Sequence, residues 1–275
     1  MNSTNNLEEK QDKLAIVLSG GGARAAYQVG ALRYIAREMP EHRPQILTGV
    51  SAGAINAVFL ASHRGAWRDG VEGLARLWLS LDTQRVYRTD LASISRRVFH
   101  WGLRVITGGR LGHSDIRGMV DNAPLRSFLG AHLPLEGQRI LGIEENLRDG
   151  LLESLAIITT NYGSGRSRAW VESEHDNLWI GSQLTAVETE MTLDHVMASA
   201  ALPMFFPAVK LDQAWHGDGG IRLTAPLSPA LHLGATRILA VSPRATPINV
   251  LPIDMRDPYP SPAQIASTMM NAVFL

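Results

Sequence analysis

Apolar residues form short unbroken runs near the start of this chain, joined by stretches with helical spacing. Leu14 to Leu18 is a continuous apolar run closed by Ser19 and glycines, which predicts a strand buried on both faces, as in a parallel sheet. Ala25 to Met39 carries Val29, Leu32, Ala36 and Met39 at helical spacing, and Pro40 stops it. Gln45 to Thr48 reads as a second short strand, and Ala52 to His63 as a helix apolar nearly all round. Its Ala52, Gly53, Ala54 and Ala57 would let that helix lie close to a sheet. Strand, helix, strand, helix within about fifty residues is the alternation of an α/β fold with a right-handed crossover.

Further on, positions 69–150 read as mostly helical, broken by Gly108-Gly109 and Pro134. Glu153 to Asn161 and Arg166 to Glu172 flank Tyr162-Gly163-Ser164-Gly165 and predict a hairpin. Thr192 to Ala201 predicts a helix ended by Leu202-Pro203, and strand-like runs at Ala208 to Leu211 and Arg237 to Val241 bracket Asp218-Gly219-Gly220. The polar segment 1–13 reads as a disordered leader without the apolar core of a signal peptide. Positions 14–243 form the main domain. Positions 244–275 form an extension whose final helical pattern, still apolar at Val273-Phe274-Leu275, suggests that the natural chain continues.

Composition narrows the chemistry. At 275 residues and 45% hydrophobic, the chain can bury a substantial core. Its 26 basic residues equal its 26 acidic ones, so no global charge favours nucleic acid. The absence of cysteine removes thiolate catalysis, disulfides and Cys-ligated zinc, and suits a reducing, cytoplasmic location. The strongest apolar stretch, Ala52 to Ala61, is too short to span a bilayer, so any membrane contact is expected to be peripheral.

Three glycine motifs carry the candidate chemistry. Gly49-Val50-Ser51-Ala52-Gly53 is a G-x-S-x-G nucleophile elbow, in which glycines permit a turn tight enough to project the serine hydroxyl. Gly20-Gly21-Gly22-Ala23-Arg24 follows the first strand and could bring backbone N–H groups near Ser51 as an oxyanion hole. Asp218, ahead of Gly219 and Gly220, could present a carboxylate as the proton acceptor. Ser51 would lie at a helix N-terminus, where the dipole and unpaired N–H groups favour negative charge.

Other readings compete for the same residues. Gly20, Gly22 and Ala25 also fit G-x-G-x-x-A, the dinucleotide fingerprint, with Glu38 or Glu41 near the expected acidic position. That alternative, an oxidoreductase, leaves the Ser51 elbow unexplained. A Ser-Asp-His triad would need His232, which sits at an expected helix end. The elbow also comes after a single βαβ unit, earlier than in the α/β-hydrolase order.

Taken together, the glycine loop with Arg24, Gly-Val-Ser-Ala-Gly-Ala-Ile-Asn at 49–56, Ala198-Ser199-Ala200-Ala201-Leu202-Pro203 leading into Phe205-Phe206-Pro207, and Asp218-Gly219-Gly220 resemble a patatin-like phospholipase. The resemblance runs from Leu14 to about Val241. It implies a three-layer α/β/α fold with a mostly parallel central sheet and a Ser–Asp dyad in place of a triad. It further implies hydrolysis of acyl esters in phospholipids or lysophospholipids, with no metal or other cofactor. By position, Ser51 is then the nucleophile and Asp218 the general base, while Gly21, Gly22 and Ala23 supply oxyanion donors. A non-catalytic lipid-binding scaffold of the same fold is the alternative.

One segment suggests where lipid is met. From Ile94 to Ile106, Arg96, Arg97, His100 and Arg104 share one helical face, and Val98, Trp101 and Val105 lie among the apolar residues covering the rest. This is the composition of a basic, amphipathic interfacial helix, and equally that of a packed helix with a solvated face. The membrane-contact expectation rests on Arg96, Arg97 and Arg104.

Overall fold

A computed structural model describes residues 12–88, 118–174, 178–223 and 226–243. The first strand, β1 (Leu14–Leu18), runs into a 3-10 turn (Gly22–Ala25) and α1 (Ala26–Glu38). Then come β2 (Ile46–Val50), α2 (Ala52–Ser62), α3 (Trp67–Leu79) and the single turn α4 (Thr83–Val86). After α5 (Ala123–His132), a small antiparallel pair, β3 (Leu135–Glu136) and β4 (Arg139–Ile140), precedes α6 (Ile143–Arg148). The long hairpin of β5 (Ser154–Asn161) and β6 (Ser167–Ser173) leads to β7 (Leu184–Glu188) and α7 (Leu193–Ser199). A second hairpin, β8 (Val209–Leu211) and β9 (Ala214–Asp218), is followed by α8 (Leu227–His232) and β10 (Arg237–Val241).

The central sheet has the order β10-β1-β2-β5-β6-β7. Its first four strands are parallel, β6 runs antiparallel to β5, and β7 is parallel to β6. Successive side chains on a strand point to opposite faces, and both faces here are buried. Ile16, Leu18, Leu47, Leu155 and Ile157 join the larger core with residues of α1, α2, α3 and α7. Ala15, Val17, Ile46, Val50, Ala156 and Ile158 face the other way, against Ala230 and Leu233 of the α8 segment. The result is an α/β architecture in three layers about a mostly parallel sheet. None of the helices among the described residues is long and apolar enough to cross a membrane.

The β9 strand positions the site. β5 carries β6 along one edge, while its other edge is shared: β2 pairs with residues 154–158 and β9 with residues 159–161. Because β2 is parallel and β9 antiparallel to β5, their C-terminal ends approach head to head. The two registers change over between Val50↔Ile158 and Thr159↔Asp218.

Several elements depart from the sequence expectation. The second strand covers 46–50, not 45–48, because the ladder with β5 extends to Val50. The β3–β4 pair lies in a stretch read as helical, and β7 and β9 fall where the sequence reading places no strand. β9, Ala-Trp-His-Gly-Asp, lacks apolar alternation because His216, Gly217 and Asp218 are its buried residues. The leader up to residue 11, the segment around Arg96, Arg97 and Arg104, and the extension from 244 all lie outside the described residues.

Candidate active site

At the end of β2 the chain turns abruptly into α2, and Ser51 takes up the turn with φ 56° and ψ −128°. A non-glycine residue at positive φ is strained, by about 1–3 kcal/mol, and persists only where its surroundings hold it. One of those restraints is Ser199 at the end of α7. The Ser51 N–H donates to Ser199 Oγ at 3.0 Å, and the Ser199 hydroxyl donates to the Ile158 carbonyl at 2.7 Å. Close packing is the second restraint: a Cβ on Gly53 would fall inside contact distance of the Leu18 carbonyl, so only glycine lets α2 lie this near β1.

The Ser51 hydroxyl donates to Asp218 Oδ2 at 2.6 Å. The other carboxylate oxygen, Oδ1, accepts the Gly220 N–H at 2.7 Å. Backbone bonds lock the aspartate itself: its N–H donates to Ala201 O at 2.9 Å, and its carbonyl accepts the Thr160 hydroxyl at 2.9 Å. Gly219 has no room for a side chain, since a Cβ would strike the Ile158 carbonyl. Asp218 is only 2% exposed. Burial disfavours its charge and pushes its pKa up to about 6, against the opposing pull of the Ser51 and Gly220 hydrogen bonds.

The glycine loop closes over the same place. Gly20 packs against Ser51, and Gly22 and Ala23 line a cavity that also contains Ser51. Gly21 lies against Pro243. The first backbone bond of the 3-10 turn runs from Arg24 N–H to Gly21 O at 3.1 Å, so the N–H groups of Gly22 and Ala23 precede the bonded ones. The Arg24 side chain is exposed. The cavity has a volume of about 550 Å³ and mainly apolar walls, including Ile55, Trp78, Leu81, Val86, Leu125 and Phe206. Ser51, 6% exposed, lines it together with the polar Asp82, Thr83 and Tyr87.

Chemically, the arrangement pairs a hydroxyl with a carboxylate whose raised pKa makes it a better proton acceptor, beside a glycine loop whose Gly22 and Ala23 line the same cavity. His232 takes no part: it ends α8 and stacks on Trp179, with ring centroids 4.7 Å apart. Two other histidines, His195 and His216, are buried, and burial pushes each down to about 4, so they are neutral near pH 7. Neither is within bonding reach of Ser51. His216 Nδ1 meets Thr159 Oγ1 at 2.9 Å, and His195 Nδ1 meets Thr192 Oγ1 at 2.8 Å.

The family description Patatin-like phospholipase matches residues 16–231. The chain belongs to this family. Among solved structures, it is similar to VipD from Legionella pneumophila at 16% identity and a TM-score of 0.42, over 77% of this chain and 46% of that one. Human GIVD cytosolic phospholipase A2 aligns at 17% identity and a TM-score of 0.33, over 55% of this chain and 19% of that one. The type III effector protein ExoU aligns at 20% identity and a TM-score of 0.28, over 59% of this chain and 36% of that one. The chain thus spans less than half the length of each. No curated protein sequence is a significant match.

Sequence reasoning brought out the serine, the aspartate and the loop but assigned nothing to Ser199, Thr160 or Asn56. For Asn56 a signal existed. It is a lone amide in a helix where nine of eleven residues are buried, and such a group must find partners.

Proposed function

We propose that this protein is a serine acyl hydrolase that cleaves lipid esters through a Ser51–Asp218 dyad. The observation that carries the reading is the 2.6 Å hydrogen bond to a buried carboxylate from the hydroxyl of Ser51, a residue that lines a mainly apolar cavity. As Ser51 Oγ attacks the ester carbonyl carbon, Asp218 Oδ2 takes its proton. The developing oxyanion is met by N–H groups of the Gly20–Ala23 loop and by the N-terminal end of α2. Collapse of the tetrahedral intermediate breaks the bond to the alcohol, which leaves with the proton from Asp218. Water then attacks the acyl-serine, gives its proton to Asp218, and releases the fatty acid as Ser51 is reprotonated.

A mainly apolar cavity lined by the proposed nucleophile suits an acyl chain, and family membership supports lipid substrates. Phospholipid or lysophospholipid is the substrate class we favour. A purified chain should hydrolyse such lipids and take a fluorophosphonate label on Ser51. A Ser51→Ala variant should do neither. If the parent protein takes no label while still sedimenting with lipid vesicles, the fold serves as a binding scaffold and the hydrolase reading is wrong.

A further inference from the structure

Behind the glycine loop runs a buried chain of side-chain hydrogen bonds that the dyad does not use. Gln28 and Asn56 are both fully buried. Gln28 Nε2 donates to the Ser19 carbonyl at 2.7 Å and to the Val241 carbonyl at 3.1 Å. Two carbonyl acceptors oblige the nitrogen to face them, which leaves Gln28 Oε1 to accept from Asn56 Nδ2 at 2.9 Å. The same Asn56 nitrogen also reaches the Ala25 carbonyl at 3.4 Å. Asn56 Oδ1 is then the acceptor for the indole N–H of Trp78, at 2.7 Å. Each amide has only one orientation that satisfies its neighbours.

The two ends of this chain lie in different functional regions. Ser19 and Ala25 are the two feet of the glycine loop, immediately before Gly20 and immediately after Arg24. Trp78 lines the cavity that Ser51 also lines. We infer that Asn56 is a positioning residue that couples the acyl cavity to the oxyanion loop, so that a chain packed against Trp78 sets the loop for turnover. The inference rests on the proposed use of the cavity as the acyl site. Its physical basis is that buried, fully paired amides cannot shift singly without leaving a polar group unpaired. A displacement of the indole is therefore passed to the carbonyls that hold the loop.

The consequence is selectivity expressed in the rate of turnover as well as in binding. The test compares p-nitrophenyl acetate with p-nitrophenyl decanoate, kept below its aggregation limit, as substrates of the parent, Trp78→Phe, Gln28→Met and the double variant. Phenylalanine keeps an aromatic wall but cannot donate, and methionine keeps the length of glutamine without the amide. For the parent, kcat on decanoate should exceed kcat on acetate. Each single variant should lower that kcat ratio about five- to tenfold, less than the roughly hundredfold that a 1 Å misplacement can cost. The double variant should be no worse than the poorer single one, because both cut the same chain.

A parent ratio of one or less would overturn the inference. So would a Trp78→Phe protein that raises only KM for decanoate, or single effects that multiply in the double variant. If Gln28→Met shows no cooperative melt, the Trp78→Phe ratio decides alone. A parent that hydrolyses neither ester, or a Ser51→Ala protein as active as the parent, removes the hydrolase reading itself and the inference with it. That outcome is distinct from a Ser51-dependent enzyme whose ratio does not move.

Discussion

Ser51 and Asp218 meet because the strands that carry them share one edge of β5 and arrive from opposite directions. Their registers change over between Ile158 and Thr159, and their side chains bridge the gap at 2.6 Å. Both chains leave the sheet at that point, one into α2 and the other into a 3-10 turn over Gly219–Ile221. The site is therefore a junction in the sheet, and its parts can be tested separately.

Ser51→Ala and Asp218→Asn should each reduce ester hydrolysis by about a thousandfold or more, and the double variant should be no worse, as for groups acting as a unit. His232→Ala should leave turnover near that of the parent, given its stacking on Trp179 away from the dyad. Steady-state rates on one soluble ester check all four proteins. Substantial activity in Asp218→Asn, with loss in His232→Ala, would identify a different base.

Activity should fall with acid as Asp218 protonates. With its pKa raised by burial to about 6, kcat/KM should drop about tenfold per pH unit below that value and level off above it. Stability responds with the opposite sense. The folded state holds this proton more tightly than the unfolded chain, so the stabilising contribution is complete below about pH 4 and lost as pH rises through 6. Asp218→Asn should accordingly be more stable than the parent at pH 7.5, by on the order of 2–3 kcal/mol, with the gap closing near pH 4. Denaturant melts of both proteins across that range would reveal it.

Ser199→Ala removes the acceptor for the Ser51 N–H and the donor to Ile158 O in one change. The loss should cost about 1–3 kcal/mol of stability, the usual penalty for unpaired buried groups. It should also lower kcat with little effect on KM, because the strained elbow loses a restraint and the cavity does not change. Equal melting curves, or a pure KM effect, would show that Ser199 does not hold the nucleophile.

Gly22 has φ +54° and open space where a side chain would stand. A Cβ there meets nothing within 4 Å, but a β-branched residue forces the loop out of its left-handed conformation. Gly22→Val should thus lower kcat about a hundredfold while KM changes little, the effect of losing one oxyanion donor. A raised KM alone would make the loop a substrate-binding element.

The basic segment supplies the last test. Changing Arg96, Arg97 and Arg104 together to Gln should weaken sedimentation with anionic vesicles, by about 1 kcal/mol per residue at low salt. Hydrolysis of a short soluble ester should persist. Loss of that activity too would mean that the segment packs against the domain.

Much of this was legible from local pattern, because the functional motifs sit where apolar runs end. The Leu14–Leu18 run, the small residues of α2 and the glycines around Ser51 each announce a close approach of backbone to backbone. Asp218 was legible through its glycines, yet the strand that delivers it was not. β9 buries a histidine, a glycine and an aspartate, so the apolar alternation that signals a strand is missing. Ser199 stood in a quoted motif without a role and Gln28 went unremarked, for a related reason. Their roles depend on partners 148 and 213 residues away, and local periodicity carries nothing about such pairings. The segment around Arg96 remains a sequence-level expectation.

The head-to-head strands also set when the protein can become a hydrolase. Ser51 and Asp218, the proposed nucleophile and base, are 167 residues apart, and they are joined only after the far end of β5 has received β9. A chain still emerging from the ribosome can build the elbow and the glycine loop without possessing any proton acceptor for Ser51. On the proposed dyad, the capacity to cut an ester is thus withheld until the sheet is complete, and a partly folded chain with exposed apolar surface is not yet a hydrolase.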